Sequence, residues 1–215
     1  MRARPNAQGE RYPSEPFEVA EAAAELLAGM PAPVGQVVGE GFDAWVFLTT
    51  NANAVVRVAS LRDKTSYDLE HAVEVEMLFF DEEFVETGGI VRGYGIAFLA
   101  VAATGDGWTL IDDPVNPPLD VDVDEGLWMV SWKERLPHLD PLGFLIGRYE
   151  GEALEALVIA LQSSIGSAKS QRVLKRYPET RKLADAIDAG LPTGYLDIYQ
   201  NLGVSAEGDI VAYDL

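Results

Sequence analysis

The patterning of this chain changes character near its middle, and that change limits the folds open to it. In the first part, short apolar runs alternate with turn chemistry. Residues 34–38, 45–49 and 54–58 read as strands, parted by Gly39-Glu40-Gly41-Phe42-Asp43 and by Asn51-Ala52-Asn53. Residues 90–103, 107–111 and 127–132 are strand-like as well, and the proline- and acid-rich stretch 112–126 reads as a solvated loop. From Pro141 onward the spacing turns helical, most clearly over 152–162 and 180–189. Strands followed by helices predict an α+β fold in two lobes rather than an alternating doubly wound sheet.

Two helices are expected inside or ahead of the β-rich part. One runs from Ser14 as N-cap through Leu27, ended by Gly29 and Pro31. The other covers 66–80, with Leu69, Val73, Met77 and Phe80 on one face. The expected organisation is a tail and helix over 1–33, a β-rich lobe over 34–136 and a reduced helical lobe over 137–215. The last of these closes in a β-hairpin turned at Gly208-Asp209.

Charge narrows the function classes. The 215 residues carry a formal net charge of -19, which repels phosphate backbones and anionic membranes and argues against direct nucleic-acid binding. The same charge suits solubility, or an acidic mimic of nucleic acid that occupies a basic groove on a protein partner. No run approaches the roughly 18–20 apolar residues of a membrane span. Residues 1–10 lack the apolar centre of a signal peptide, and there is no cysteine for disulfides or thiolate metal sites, so a cytoplasmic location is expected. His71 and His138 do not stand at metal-ligand spacing.

Several short segments carry chemistry-bearing residues in a suggestive order. Gly39 and Gly41 sit in a strand-turn-strand stretch where backbone amides can approach phosphate oxygens without an intervening side chain. Arg57 lies on the third strand among Val55, Val56 and Val58. The 66–80 helix offers Glu74, with Glu76 as the alternative. Glu134 ends the apolar strand before Arg135-Leu136. Asp197 and Asn201 then precede the closing hairpin, and Asp214 follows its second strand.

Taken together these residues resemble the protein-kinase-like superfamily, including small phage or bacterial kinase-like and aminoglycoside-phosphotransferase-like proteins, over about residues 34–215. The resemblance implies a two-lobe fold with a five-stranded N-terminal lobe crossed by one helix. It implies ATP bound at Gly39 and Gly41, its phosphates neutralised by Arg57 with Glu74 holding Arg57 in place, and its adenine edge at Glu134. Asn201 and Asp214 would hold magnesium, and Asp197 would act on the acceptor hydroxyl of a protein or small molecule. The chain departs from the family pattern in four places. Ala44 replaces the third glycine, and Arg57 replaces lysine. Asp197 and Asn201 are four positions apart rather than five, and the sequence stops at Leu215, where family members continue. The alternative implied by those departures is a catalytically inactive, pseudokinase-like module that binds a protein partner.

Overall fold

The computed structural model describes residues 14–40, 44–62, 64–102, 107–162, 164–194 and 196–213. It is a mixed α+β structure dividing into two compact units, Met1–Val73 with Gly93–Arg135 and Glu74–Arg92 with Leu136–Leu215. The grouping differs from the expected lobes: the helix over Ser14–Leu26 falls in the first unit rather than standing apart, and Leu136 falls in the second. Residues 74–92, which sit inside the β-rich stretch of sequence, pack with the C-terminal helices.

In the first unit, six strands form one antiparallel sheet: β1 (Pro33–Glu40), β2 (Ala44–Thr49), β3 (Ala54–Ser60), β4 (Gly93–Ala102), β5 (Trp108–Ile111) and β6 (Val121–Glu134). Their order is β1-β2-β3-β6-β4-β5, so β6 returns to lie between β3 and β4. Side chains alternate between the two faces of such a sheet. Val56, Val58, Leu99 and Val130 face α1 (Ser14–Leu26), which buries Phe17, Val19, Ala20 and Ala23 against them. Phe17 meets Phe47 edge-on, with ring centres 5.5 Å apart. On the other face Ala59, Ala100 and Met129 pack with Leu69 from α2 (Ser66–Met77). Thr65 caps α2, its hydroxyl donating to the Asp68 carboxylate at 2.6 Å and accepting from the Asp68 amide at 3.2 Å.

The sheet holds six strands rather than five, and β6 begins at Val121 rather than Leu127. The acidic stretch conceals a period of two: Val121 and Val123 pack on the α2 side, while Ala102 and Val101 of β4 stand opposite Val121 and Asp122. Pairing of the backbone along β4 outweighs the charge density that suggested a loop. β4 begins at Gly93, not Ile90. Ile90 instead bridges Ala212 in the second unit.

The second unit contains the end of α2, a 3-10 turn at Leu78–Phe80, α3 (Glu82–Thr87), α4 (Pro141–Ile146), α5 (Gly151–Gln162), α6 (Ala168–Leu174), α7 (Pro178–Asp188) and a hairpin of β7 (Leu202–Val204) and β8 (Ile210–Ala212). Its core is built from Leu145, Leu157, Leu161, Leu174, Leu183, Leu202 and Ile210, all buried. α3 has no counterpart among the expected helices. Asp81 starts it by accepting from the Glu83 amide at 2.9 Å, and Gly88 ends it at φ +69°. The 66–80 helix therefore tightens into a 3-10 turn after Met77 and leads to a second short helix. Among the described residues no helix is long and apolar enough to cross a membrane.

Candidate functional site

The candidate residues fall in both units, and each group has its own geometry. In the first unit the sheet register aligns Gly39 opposite Val46, Val46 opposite Arg57, and Arg57 opposite Ser131. Directly opposed residues share a face, so Arg57 and Ser131 lie on the side to which Ala59 and Met129 point, the side packed by α2. Lys133 is two positions beyond Ser131 on β6, opposite Val55, and shares that face. Arg57 is half-buried, while Ser131 and Lys133 are buried. Two basic side chains on neighbouring strands thus share one sheet face in a chain whose net charge is -19.

Sequence reading missed Lys133. Its signal was present: a lysine two residues past Ser131 on an apolar strand, in phase with the opposing arginine. Glu134 has the opposite phase and lies on the α1 side of the sheet, where it stands opposite Ala54. The next amide, Arg135 N–H, donates to the Asn53 carbonyl at 2.9 Å. Part of the backbone expected to meet an adenine edge is therefore committed to the neighbouring turn. Gly41 lies outside the described residues.

The helix acids sort by exposure. Glu74 is exposed, whereas Glu76 is buried at 3% exposure. A carboxylate kept from water needs compensating partners, so Glu76 is the acid of α2 under structural constraint.

In the second unit Asp197 opens a tight turn. Its carboxylate accepts from the Tyr199 amide at 2.8 Å, and its carbonyl accepts from the Gln200 and Asn201 amides at 3.2 and 3.1 Å. The Ile198 amide ties this turn to the end of α5 through the Leu161 carbonyl at 3.2 Å. Asn201, half-buried, accepts at its carbonyl from the Tyr213 amide at 2.9 Å, so the hairpin closes on it. Asp214 follows Tyr213 and lies outside the described residues. Among the described residues no group of three or more His, Asp or Glu side chains could hold a metal ion.

The hairpin turn rests in a charged seat that the sequence did not reveal. Ser205 and Asp209 close the turn, with Gly208 at φ +88°. Lys182 of α7 reaches Asp209 Oδ2 at 2.7 Å. That hydrogen bond, with the charges of Asp209 and Glu207, holds the ammonium above its ordinary pKa against the opposing effect of burial. Nearby, Arg148 stacks on Phe144, its guanidinium carbon 3.8 Å from the ring centre, and approaches Glu179 at 3.6 Å. Tyr149 donates to Glu179 Oε2 at 2.6 Å. Burial first, then the Glu179 bond and charge, push the Tyr149 phenol up to about 12.

Both Lys182 and Tyr149 keep their protons more tightly folded than unfolded. Their contributions are complete below the unfolded values and are lost as pH rises through the folded ones. Melting temperature should therefore fall between pH 10 and the folded Tyr149 value of about 12. Tyr149→Phe should cost on the order of 1–2 kcal/mol at neutral pH and flatten that alkaline decline. An unchanged alkaline melting profile in the variant would contradict the assignment. Comparison with protein-family models finds none that matches, and comparison with curated proteins finds no match.

Proposed function

We propose that this chain is a kinase-like protein that transfers a phosphoryl group from a nucleotide to a protein or small-molecule hydroxyl. The observation that carries the reading is the in-register path from Gly39 across β2 to Arg57, with Lys133 sharing Arg57's face on the next strand. A glycine near the end of β1, backed by an arginine fork, suits a phosphate chain, because charge-assisted bonds to phosphate oxygens are the stronger kind. The N-terminal unit would bind the nucleotide. Of the two acids on α2, Glu76 is buried and Glu74 exposed. ATP and magnesium are the expected cofactors. The metal would fall to Asn201 and Asp214, and the described residues alone do not assemble a metal site.

One observation favours the second reading, an inactive partner-binding module of pseudokinase type or an acidic mimic. Asp197 spends a carboxylate oxygen on the Tyr199 amide inside its own turn. An acid serving as turn former is poorly disposed to take a proton from an acceptor hydroxyl.

The test is ligand-induced stabilisation. Millimolar Mg-ATP or Mg-GTP should raise the melting temperature, since a ligand that binds only the folded state stabilises it by mass action. Arg57→Met should weaken nucleotide binding by about tenfold or more, the loss expected for a hydrogen bond to a charged group. No thermal shift with either nucleotide would sink both the enzyme and the nucleotide-binding reading. Binding without transfer, unaffected by Asp197→Asn, would leave the inactive module.

A further inference from the structure

We infer that the first unit carries a binding cleft for a trimethylammonium group, seated against Tyr94 and Trp132 at the end of the sheet where α1 finishes. The cleft has a volume of about 380 Å³ and is lined by these two aromatic residues, the turn after α1 and the β2–β3 turn. The register of β4 on β6 explains how the two rings come to share it. Gly93 stands opposite Lys133 and Gly95 opposite Trp132, so β4 takes two steps where β6 takes one. Tyr94 is the extra residue of that bulge, and a bulge re-aims a side chain away from the regular alternation. Its side chain lines the cleft with the residue 48% exposed. Gly95, which follows, has no side chain, and the indole of Trp132 occupies the place its Cβ would take.

The opposite wall is held by main-chain bonds. Thr50 N–H donates to the Ala32 carbonyl at 2.9 Å, which ties the turn after α1 to the β2–β3 turn. Asn51 Oδ1 accepts from the Asn53 amide at 3.0 Å, and the Asn51 carbonyl accepts from the Ala54 amide at the same distance. Above Gly29 the space is open, since a Cβ there would meet nothing within 4 Å. A wall already fixed by such bonds loses little freedom when a ligand arrives.

The chemistry of the cleft selects the ligand. None of its lining residues is charged. It lies past the C-terminal end of α1, the negative pole of that helix, whose last turn has no basic residue. Aromatic ring faces are negative as well, and the chain as a whole carries -19. A cation is therefore favoured over an anion or a neutral ring. A metal ion would need several oxygen ligands, and a lysine ammonium would need acceptors for three N–H groups. A trimethylammonium group has no N–H, and its methyls pack on aromatic faces while its charge meets their quadrupoles. Trp132 packs with the α1-side core, on the face of the sheet opposite Arg57 and Lys133, so this site stands apart from the proposed nucleotide site.

Titration calorimetry on the full chain tests the inference with two sources of the group, choline and a short peptide bearing one trimethyllysine. Each has its own control. For choline it is the neutral carbon analogue, in which a tert-butyl group replaces trimethylammonium, and for the peptide it is the unmethylated form. At least one source should bind about tenfold tighter than its control, and the tighter of the two identifies the natural class of ligand. Tyr94→Phe keeps the ring face and should bind as wild type does. Tyr94→Leu keeps apolar bulk without the ring and should bind about tenfold more weakly, with an unchanged melting temperature. Trp132→Ala should lose binding as well. Should it fail to fold, the Tyr94 pair still decides the matter. No binding, or binding no tighter than the controls, overturns the cation site. Affinity unaffected by Tyr94→Leu overturns its placement in this cleft.

Discussion

Gly89→Ala is expected to be among the most damaging single substitutions in the chain, with a cost on the order of 3–5 kcal/mol. For a chain of this size that corresponds to a fall in melting temperature of roughly 10 °C. Gly89 follows the left-handed cap of α3 and passes directly over α7. A Cβ there would collide with the Lys182 carbonyl and lie 2.8 Å from Ala186 Cβ. The obstacle is main chain in a helix whose Leu183, Ala184 and Ala186 are buried, so neither side can give way. Gly89 also supplies the carbonyl that accepts from Ala212. Separating α3 from α7 would therefore loosen the hairpin as well. Circular-dichroism melts settle the matter, and a variant melting within about 2 °C of wild type would show that the close approach does not exist.

Gly95→Ala is the matching case in the first unit, and its outcome should be separable by a second substitution. Gly95 stands opposite Trp132 across β4 and β6, and the indole ring covers it. A Cβ at Gly95 would fall within the ring. Here the obstacle is a side chain, which can turn at the expense of its packing on the α1 side of the sheet. The expected cost is about 2–4 kcal/mol, most of it from displacing the ring. Trp132→Ala in the same chain should remove that obstacle. The double variant should then be more stable than the sum of the two single losses by at least about 1 kcal/mol. Strict additivity in urea denaturation would argue that the ring does not lie over Gly95.

Placed side by side, the two glycines mark what kinds of information local sequence carries. Short-range periodicity determined the element types that depend on neighbours in the chain. The helix beginning at Ser14, strands β1 to β3, helices α5 and α7, and the hairpin turned at Gly208-Asp209 all follow from apolar spacing and turn residues. The same local pattern placed Arg57 on the third strand and Asp197 ahead of Asn201.

Contacts between distant residues decided the rest. β6 begins at Val121 because β4 offers partners to Val121 and Asp122 across a bulge, overriding a composition that by itself favours solvent. Residues 74–92 joined the C-terminal helices because Phe79, Phe84 and Ile90 find their apolar partners there. Helical spacing put Glu74 and Glu76 on one helix, but burial separated them, and burial depends on what packs against each side. Lys133 gained its relation to Arg57 from the register of β6 beside β3, and Lys182 gained Asp209 from the docking of the hairpin on α7. A side chain's charge and length are fixed by the residue. The partner it meets is fixed by the burial of the core around it, which is a property of the whole chain.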